Sequence, residues 1–264
     1  VQSFPQLKTL GVGGEDFLCA GTLGDETGPD ASLFPKGVWL EKALETLQPQ
    51  VSESIHRSFY RVPLSKPRRG NVVELAPGKA GAYSWIKSPR YLGNAMEVGP
   101  VARLVIAGMA GSRSHTAQVA ELLNKRLGLS LAQANSAGGR ILATLGELGP
   151  LFRWCGKILD DLKPGEPSAA PGAGGAVTGQ GLGAVEGPAG AVMHHVVVER
   201  GRITHYDIIS PSTWNGGPRD LDNQPSGVEL ALSRKPPRLS TAKGRLAASR
   251  IVHSFYFSAR DAVH

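Results

Sequence analysis

Tyr83-Ser84-Trp85-Ile86-Lys87-Ser88-Pro89-Arg90-Tyr91, followed after a short gap by Met96-Glu97-Val98-Gly99-Pro100-Val101-Ala102-Arg103, is the stretch whose reading decides the fold. It leads into residues 99–163, which read as a helical block. Val119, Leu122, Leu123 and Leu127 recur at helical spacing, and Gly128 stops that run. Leu131, Ala134, Ile141, Leu142 and Leu145 predict a second helix, weakened in its middle by Gly138-Gly139. Leu151, Trp154, Ile158, Leu159 and Leu162 form a third stripe, ended by Pro164. Three stripes on neighbouring helices predict a bundle-like core, in which Trp154 and Cys155 serve packing.

Downstream of the block, residues 163–191 are rich in Gly, Ala and Pro. They read either as a flexible linker or as an ordered internal loop that approaches a site closely. Residues 193–209 read as a hairpin: Val196-Val197-Val198 runs into Glu199-Arg200-Gly201-Arg202, and Ile203 to Ile209 returns. Upstream, residues 1–70 read as loops with short elements, punctuated by Gly11, Gly13, Gly14, Gly28, Pro29 and Pro35, with a turn at Lys66-Pro67-Arg68-Arg69-Gly70. The last 25 residues are mildly helical.

Composition narrows the function classes. Of 264 residues 41% are hydrophobic, enough for a core, and no apolar run is long enough for a transmembrane helix. The first ten residues carry no targeting pattern and no initiator Met, so the expectation is a cytoplasmic protein, processed at its start or part of a longer chain. The net charge is +7, and Arg234, Lys235, Arg238, Lys243, Arg245 and Arg250 fall in an acid-free stretch, a candidate docking surface for an acidic protein partner. Nucleic acid is not expected, since aromatics are only 6% and no recognition module is visible. Cys19 and Cys155 are too far apart in sequence to suggest a disulfide framework or a zinc site, and both read as small buried hydrophobes. His194 and His195 are adjacent in a strand and point to opposite faces, so they are not a metal pair; His56, His115 and His205 are isolated.

The two strings of 83–103, then Pro211-Ser212-Thr213-Trp214-Asn215 with Pro218-Arg219-Asp220, then Val252-His253-Ser254-Phe255 and Ala262-Val263-His264, resemble in family order the large subunits of nickel–iron hydrogenases. Phe17-Leu18 and Leu33 to Val38 are weaker matches upstream. The resemblance implies an α+β, mainly α fold: one large-subunit-like domain over 1–264, lacking the N-terminal part of the family domain, with a helical core and small peripheral β-hairpins or sheets.

The same resemblance locates the departures. The family holds nickel and iron in two Cys-x-x-Cys pairs, because soft thiolates suit those metals and can bridge them. Here Ser258 and Asp261 stand where the terminal pair would be, Tyr256-Phe257 replaces an Asp-Pro, and Ala189 stands where an arginine would hang over the metals. No early partner for Cys19 is seen, and the other pair would lie before Val1. The chain stops at His264, where the family is normally cleaved during maturation, so no such processing is expected.

These departures give the expectation that the chain is not an enzyme. It would be a degenerate relative of the HupK/HoxV maturation type, a scaffold or chaperone that relays the Fe(CN)2(CO) fragment, or maturation partners, to the apo large subunit. No nickel and no tightly bound cofactor are expected. Ser258, Asp261 and His264 would line a vestigial pocket, filled either by polar side chains and water or by a loosely held iron fragment. The alternative is a structural or regulatory subunit paired with an iron–sulfur small subunit.

Overall fold

The computed structural model describes residues 5–21, 34, 36–45, 47, 50–62, 73–109, 121, 124–125, 134–165, 167 and 177–262. After a 3-10 turn at Pro5–Lys8, strands β1 (Phe17–Cys19), β2 (Gly37–Leu40) and β3 (Ala43–Glu45) form an antiparallel sheet in that order. Strands β4 (Val51–Ser54) and β7 (Ser88–Tyr91) pair antiparallel, as do β5 (Tyr60–Arg61) and β6 (Glu74–Leu75). Helices α1 (Pro100–Met109) and α2 (Ala137–Asp161) follow, then the meander β8 (Gly179–Gly187), β9 (Gly190–Glu199) and β10 (Arg202–Ile209). Four helices close the chain: α3 (Pro211–Gly216), α4 (Gly227–Arg234), α5 (Ala242–Ser254) and α6 (Ala259–Ala262).

Helix α1 is the centre of the packing. Pro100 opens it with φ already set for a helix, and every residue from Pro100 to Ala107 is buried. Apart from Arg103 the helix is apolar all round, as a helix inside a core is. Val101, Leu104, Val105 and Ile106 pack with Phe17, Cys19, Phe34 and Ala143. A second cluster joins β1, β2, β7 and β9 around the fully buried Trp214 of α3.

Four sequence expectations change. The mainly α reading is too strong: 36% of the described residues are helical and 26% are in strands. The second and third apolar stripes lie on a single 25-residue helix, α2, which carries Pro150 inside it. Gly138-Gly139 sit in its first turn rather than its middle, capped by the Ser136 hydroxyl accepting from Gly139 N. A Cβ at Gly138 would lie 2.9 Å from the carbonyl oxygen of Leu7, so close approach explains that glycine. Among the described residues these stripes do not form a bundle-like core: Leu151 and Trp154 pack on the α1 cluster, but Leu145, Leu159 and Leu162 are exposed. The stripe through Val119, Leu122, Leu123 and Leu127, and also Leu131, lies outside the described residues.

The hairpin of 193–209 is present as β9–β10. Arg200 and Gly201 take φ of 51° and 75° in its two-residue turn, the left-handed pair that matches strand twist. The Gly-rich segment is in part a strand: its 179–187 portion is β8, paired along its whole length with β9.

Candidate functional site

The site is built where the sequence strings meet. Asn215 on α3 clasps the backbone of Val98: its Oδ1 accepts from Val98 N at 3.1 Å and its Nδ2 donates to Val98 O at 3.0 Å. On the other side of α3, β7 is tied to the loop 217–226. Arg90 donates from Nε to Asp220 Oδ2 at 2.5 Å, to Gln224 O at 2.7 Å and to Ser226 Oγ at 3.2 Å, while Ser88 Oγ donates to Pro218 O. Arg90 and Asp220 are both buried. The strings around 83–103 and 211–220 are therefore one interlocked unit, which is what fixes the polypeptide around α3.

The turn Gly187-Pro188-Ala189-Gly190 is held from beneath by Arg103 of α1. Its guanidinium donates to both oxygens of Glu147 at 2.8 and 2.7 Å, to Glu186 Oε1 at 2.7 Å, and to the carbonyls of Gly187 and Pro188, each at 3.0 Å. Burial works against the charge on Arg103, but the Glu147 and Glu186 carboxylates outweigh it and raise its pKa. Glu186 itself is pushed up by burial, against the pull of Arg103. Gly99 has φ of +114°, and a Cβ there would lie 2.8 Å from Ala189 O, so the turn presses directly on the start of α1.

Ser258 and Asp261 are brought together across one turn, with Asp261 N donating to Ser258 O at 3.2 Å. Ser258 is half-buried and its N donates to Ser212 Oγ of α3 at 3.0 Å, whereas Asp261 is exposed. His264 lies outside the described residues. Phe257 packs against Gly216, leaving no room for a side chain there.

The sequence reading missed a charged group beneath α6. Lys87 Nζ donates to Glu53 Oε2 and to Asp207 Oδ1, both at 3.1 Å. A cavity of about 10 Å³ lies between Glu53 and Lys87 on one side and Thr213 and Ala262 on the other, and Glu53 Oε1 has no partner among the described residues. Burial pushes the Glu53 carboxyl up despite Lys87; it also works against the charge on Lys87, but Glu53 and Asp207 outweigh it and raise the ammonium. Lys87 stood inside a quoted string; Glu53 and Asp207 had no local signal, because only the pairing of β4 with β7 and the return of β10 bring them to it.

The two cysteines part ways. Cys19 is buried in β1, and burial, then the Glu186 carboxylate, push its thiol well up. Cys155 was expected to be buried and is exposed, because nothing described packs on that face of α2. A thiolate-bridged nickel–iron centre does not fit these donors. Ser258 and Asp261 offer hard oxygens, one of them turned to solvent, and no group of three His, Cys, Asp or Glu among the described residues could hold a metal ion. His194 Nδ1 lies 2.8 Å from Tyr206 Oη, while His195 faces His205 with ring centroids 5.9 Å apart, so the pair does point to opposite faces. The cationic residues between Arg234 and Arg250 are exposed along the end of α4 and on α5.

Comparison with known proteins gives this architecture its class. The family model of nickel-dependent hydrogenases matches residues 1–264. The large chain of hydrogenase-1 of Escherichia coli K12 is 29% identical over 88% of this chain and 44% of its own length. The uptake hydrogenase large subunit of Bradyrhizobium diazoefficiens is 32% identical over 73% of this chain and 33% of its own. The Ni-Fe-Se hydrogenase of Desulfovibrio vulgaris Hildenborough superposes with a TM-score of 0.82 at 29% identity, covering 99% of this chain and 55% of that one. The chain belongs to the nickel-dependent hydrogenase family and has its large-subunit fold. It spans about half the length of these relatives.

One expectation is overturned here. The chain was expected not to be an enzyme, on the strength of Ser258 and Asp261; the relatives that match it at 27–32% identity are named as hydrogenase large chains or large subunits, and that expectation does not stand against them. Oxygen donors at the two positions of one ligand pair describe that pair alone and do not decide what the whole protein does. Among the described residues no helix is long and apolar enough to cross a membrane.

Proposed function

We propose that this chain works as a large-subunit polypeptide of a nickel-dependent hydrogenase, pairing with an iron–sulfur small subunit. The observation that supports the reading is the interlocked unit itself. Arg90–Asp220, Asn215–Val98 and Arg103–Glu147–Glu186 tie widely separated strings around α1 and α3, and these strings carry the large-subunit fold along 99% of the chain. In this reading Ser258 and Asp261 supply no thiolate, and any thiolate ligands come from polypeptide other than this chain, whose two cysteines are Cys19 and Cys155. The role of the residues described is to hold the frame: Arg103 fixes the turn bearing Ala189, and Lys87 ties β7 to β4 and β10 through Glu53 and Asp207. The test is hydrogen-dependent reduction of a viologen dye by the whole protein, produced with its small subunit and purified without oxygen. Turnover supports the reading; a properly folded complex with nickel bound and no turnover removes it.

A second reading is favoured by one specific observation, the oxygen donors at Ser258 and Asp261. Here the C-terminal turn bearing Ser258 and Asp261 receives the Fe(CN)2(CO) fragment as cargo during assembly and passes it, through maturation proteins, to an apo large subunit. Weak oxygen donors suit release, whereas thiolates suit retention. Iron without nickel, lost on incubation with an apo large subunit, supports this reading. Tightly bound nickel and iron in equal amounts removes it.

A further inference from the structure

One face of the β8–β10 meander looks toward β4 and carries titratable side chains. His195 and Asp207 stand opposite each other in the β9–β10 register, and Met193 stands opposite Ile209 further along the same face. Leu182 of β8 is level with His195. Together with Val51 and Glu53 of β4 these residues line a cavity of about 210 Å³. Its walls are apolar at Val51, Leu182, Met193 and Ile209, and its polar groups are Glu53, Asp207 and His195. Sites for drug-sized ligands measure about 300–1,000 Å³, so this space suits a compact one.

The charge on this cavity does not balance. Glu53 and Asp207 share one ammonium: Lys87 Nζ donates to Glu53 Oε2 and to Asp207 Oδ1, which leaves one oxygen of each carboxylate. Glu53 Oε1 has no partner among the described residues, although the side chain is only 6% exposed. Asp207 Oδ2 lies 4.0 Å from His205 Nε2, beyond hydrogen-bond reach, and that nitrogen too is buried without a partner among the described residues. Burial pushes the Glu53 carboxyl up, Lys87 pulls it back only in part, and the Asp207 charge adds to the rise. Buried charges are normally paired, so two carboxylates with one ammonium leave the cavity one cation short.

We propose that this cavity receives a second primary ammonium on a short aliphatic stem, carried by a free amine or by a lysine side chain from polypeptide outside this chain. The donor set selects that chemistry. Each carboxylate keeps a single oxygen and His195 adds a ring nitrogen, which matches the three separate N–H donors of an ammonium. A guanidinium binds best across both oxygens of one carboxylate, and Lys87 already holds one oxygen of each. A metal ion finds no group of three ligands among the described residues. The stem lies along Val51, Leu182, Met193 and Ile209, as lysine stems do on apolar surface.

The inference stands apart from the hydrogenase reading and is tested on the whole purified protein by titration calorimetry, without reference to metal. Isopentylamine should bind at least ~10-fold more tightly than isopentanol, the neutral molecule of the same shape, because a charged hydrogen bond replaces a neutral one. Isovalerate, which puts a carboxylate in the same place, should not bind. Asp207→Asn should weaken the amine at least ~10-fold, but it also loosens Lys87. Leu182→Trp is therefore the second variant: Leu182 is 45% exposed, so the fold tolerates the change, and the indole fills the cavity without touching a charge. It should abolish amine binding with an unchanged circular dichroism spectrum. Where a lysine of the whole protein holds the site, the amine does not bind, and a carbodiimide joins Asp207 or Glu53 to a lysine other than Lys87, identified by mass spectrometry. Amine and alcohol binding alike, amine binding that survives Leu182→Trp, or neither amine binding nor such a cross-link would each overturn the inference.

Discussion

Replacing Arg103 by methionine tests the electrostatic frame most severely. The guanidinium is 1% exposed and donates five hydrogen bonds, three to carboxylates and two to the carbonyls of the Gly187–Pro188 turn, while its face covers the ring of Phe34 at 4.5 Å. Methionine keeps the apolar stem and removes the charge, leaving Glu147 and Glu186 buried without their cation. Breaking one buried pair costs about 3–5 kcal/mol. Glu186, already pushed up by burial, can relieve its share by taking a proton, so the two losses do not add and the expected cost is about 4–5 kcal/mol at pH 7. Against a domain stability of roughly 5–15 kcal/mol, that is a third or more of the total. Urea unfolding followed by circular dichroism measures it. Lowering the pH to 5 should recover part of the loss as Glu186 takes its proton, and Arg103→Met with Glu147→Leu should recover more, because an apolar pair can replace a buried ionic one. A loss below about 1.5 kcal/mol at pH 7, or no gain on acidification, refutes the reasoning.

Three other perturbations follow the same logic. Asn215→Ala leaves Val98 N and O buried without a partner and should cost about 2–4 kcal/mol by urea unfolding, while Asn215→Asp, which keeps the acceptor but loses the donor, should cost a charged burial in addition. Gly99→Ala places a Cβ 2.8 Å from Ala189 O at a φ of +114° and should cost about 2 kcal/mol, read as a fall in thermal midpoint. Glu53 has a folded pKa raised above 4.5 by burial, so its contribution to stability is complete below pH 4.5 and is lost as pH rises through the folded value. Between about pH 4.5 and 7 the stability difference should therefore shift in favour of Glu53→Gln over wild type, and a difference that is flat or moves the other way contradicts the assignment.

Much of the fold was legible because its strings are local. Glu199 to Arg202 forms the turn that its glycine demands, whereas Pro211 to Asn215 was legible only as a matching string and its short helix on a Ser210 cap came from the structure. What failed were readings that needed tertiary knowledge. Gly138-Gly139 looked like a helix break because the helix was drawn through Leu131; with Ser136 as the cap, the glycines fall in the first turn, where Leu7 crosses. The stripes of α2 were apolar at helical spacing, but periodicity does not say what covers a face, and Cys155 was therefore misplaced. Arg90 and Arg103 lay in plain view, whereas Glu147, Glu186 and Asp220 became their partners only through contacts across 44, 83 and 130 positions. In the candidate site, the bond from Ser258 N to Ser212 Oγ and the exposure of Asp261 depend on how α6 sits against α3 and were not readable from residue type.

The central claim is that this large-subunit frame serves the metal chemistry of a hydrogenase. An infrared spectrum of the whole protein, purified without oxygen and read in the cyanide and carbonyl stretching region alongside iron analysis, tests it most directly. The account predicts bands of iron-bound cyanide and carbonyl with iron in proportion. A spectrum without those bands, in a folded protein free of iron, contradicts it.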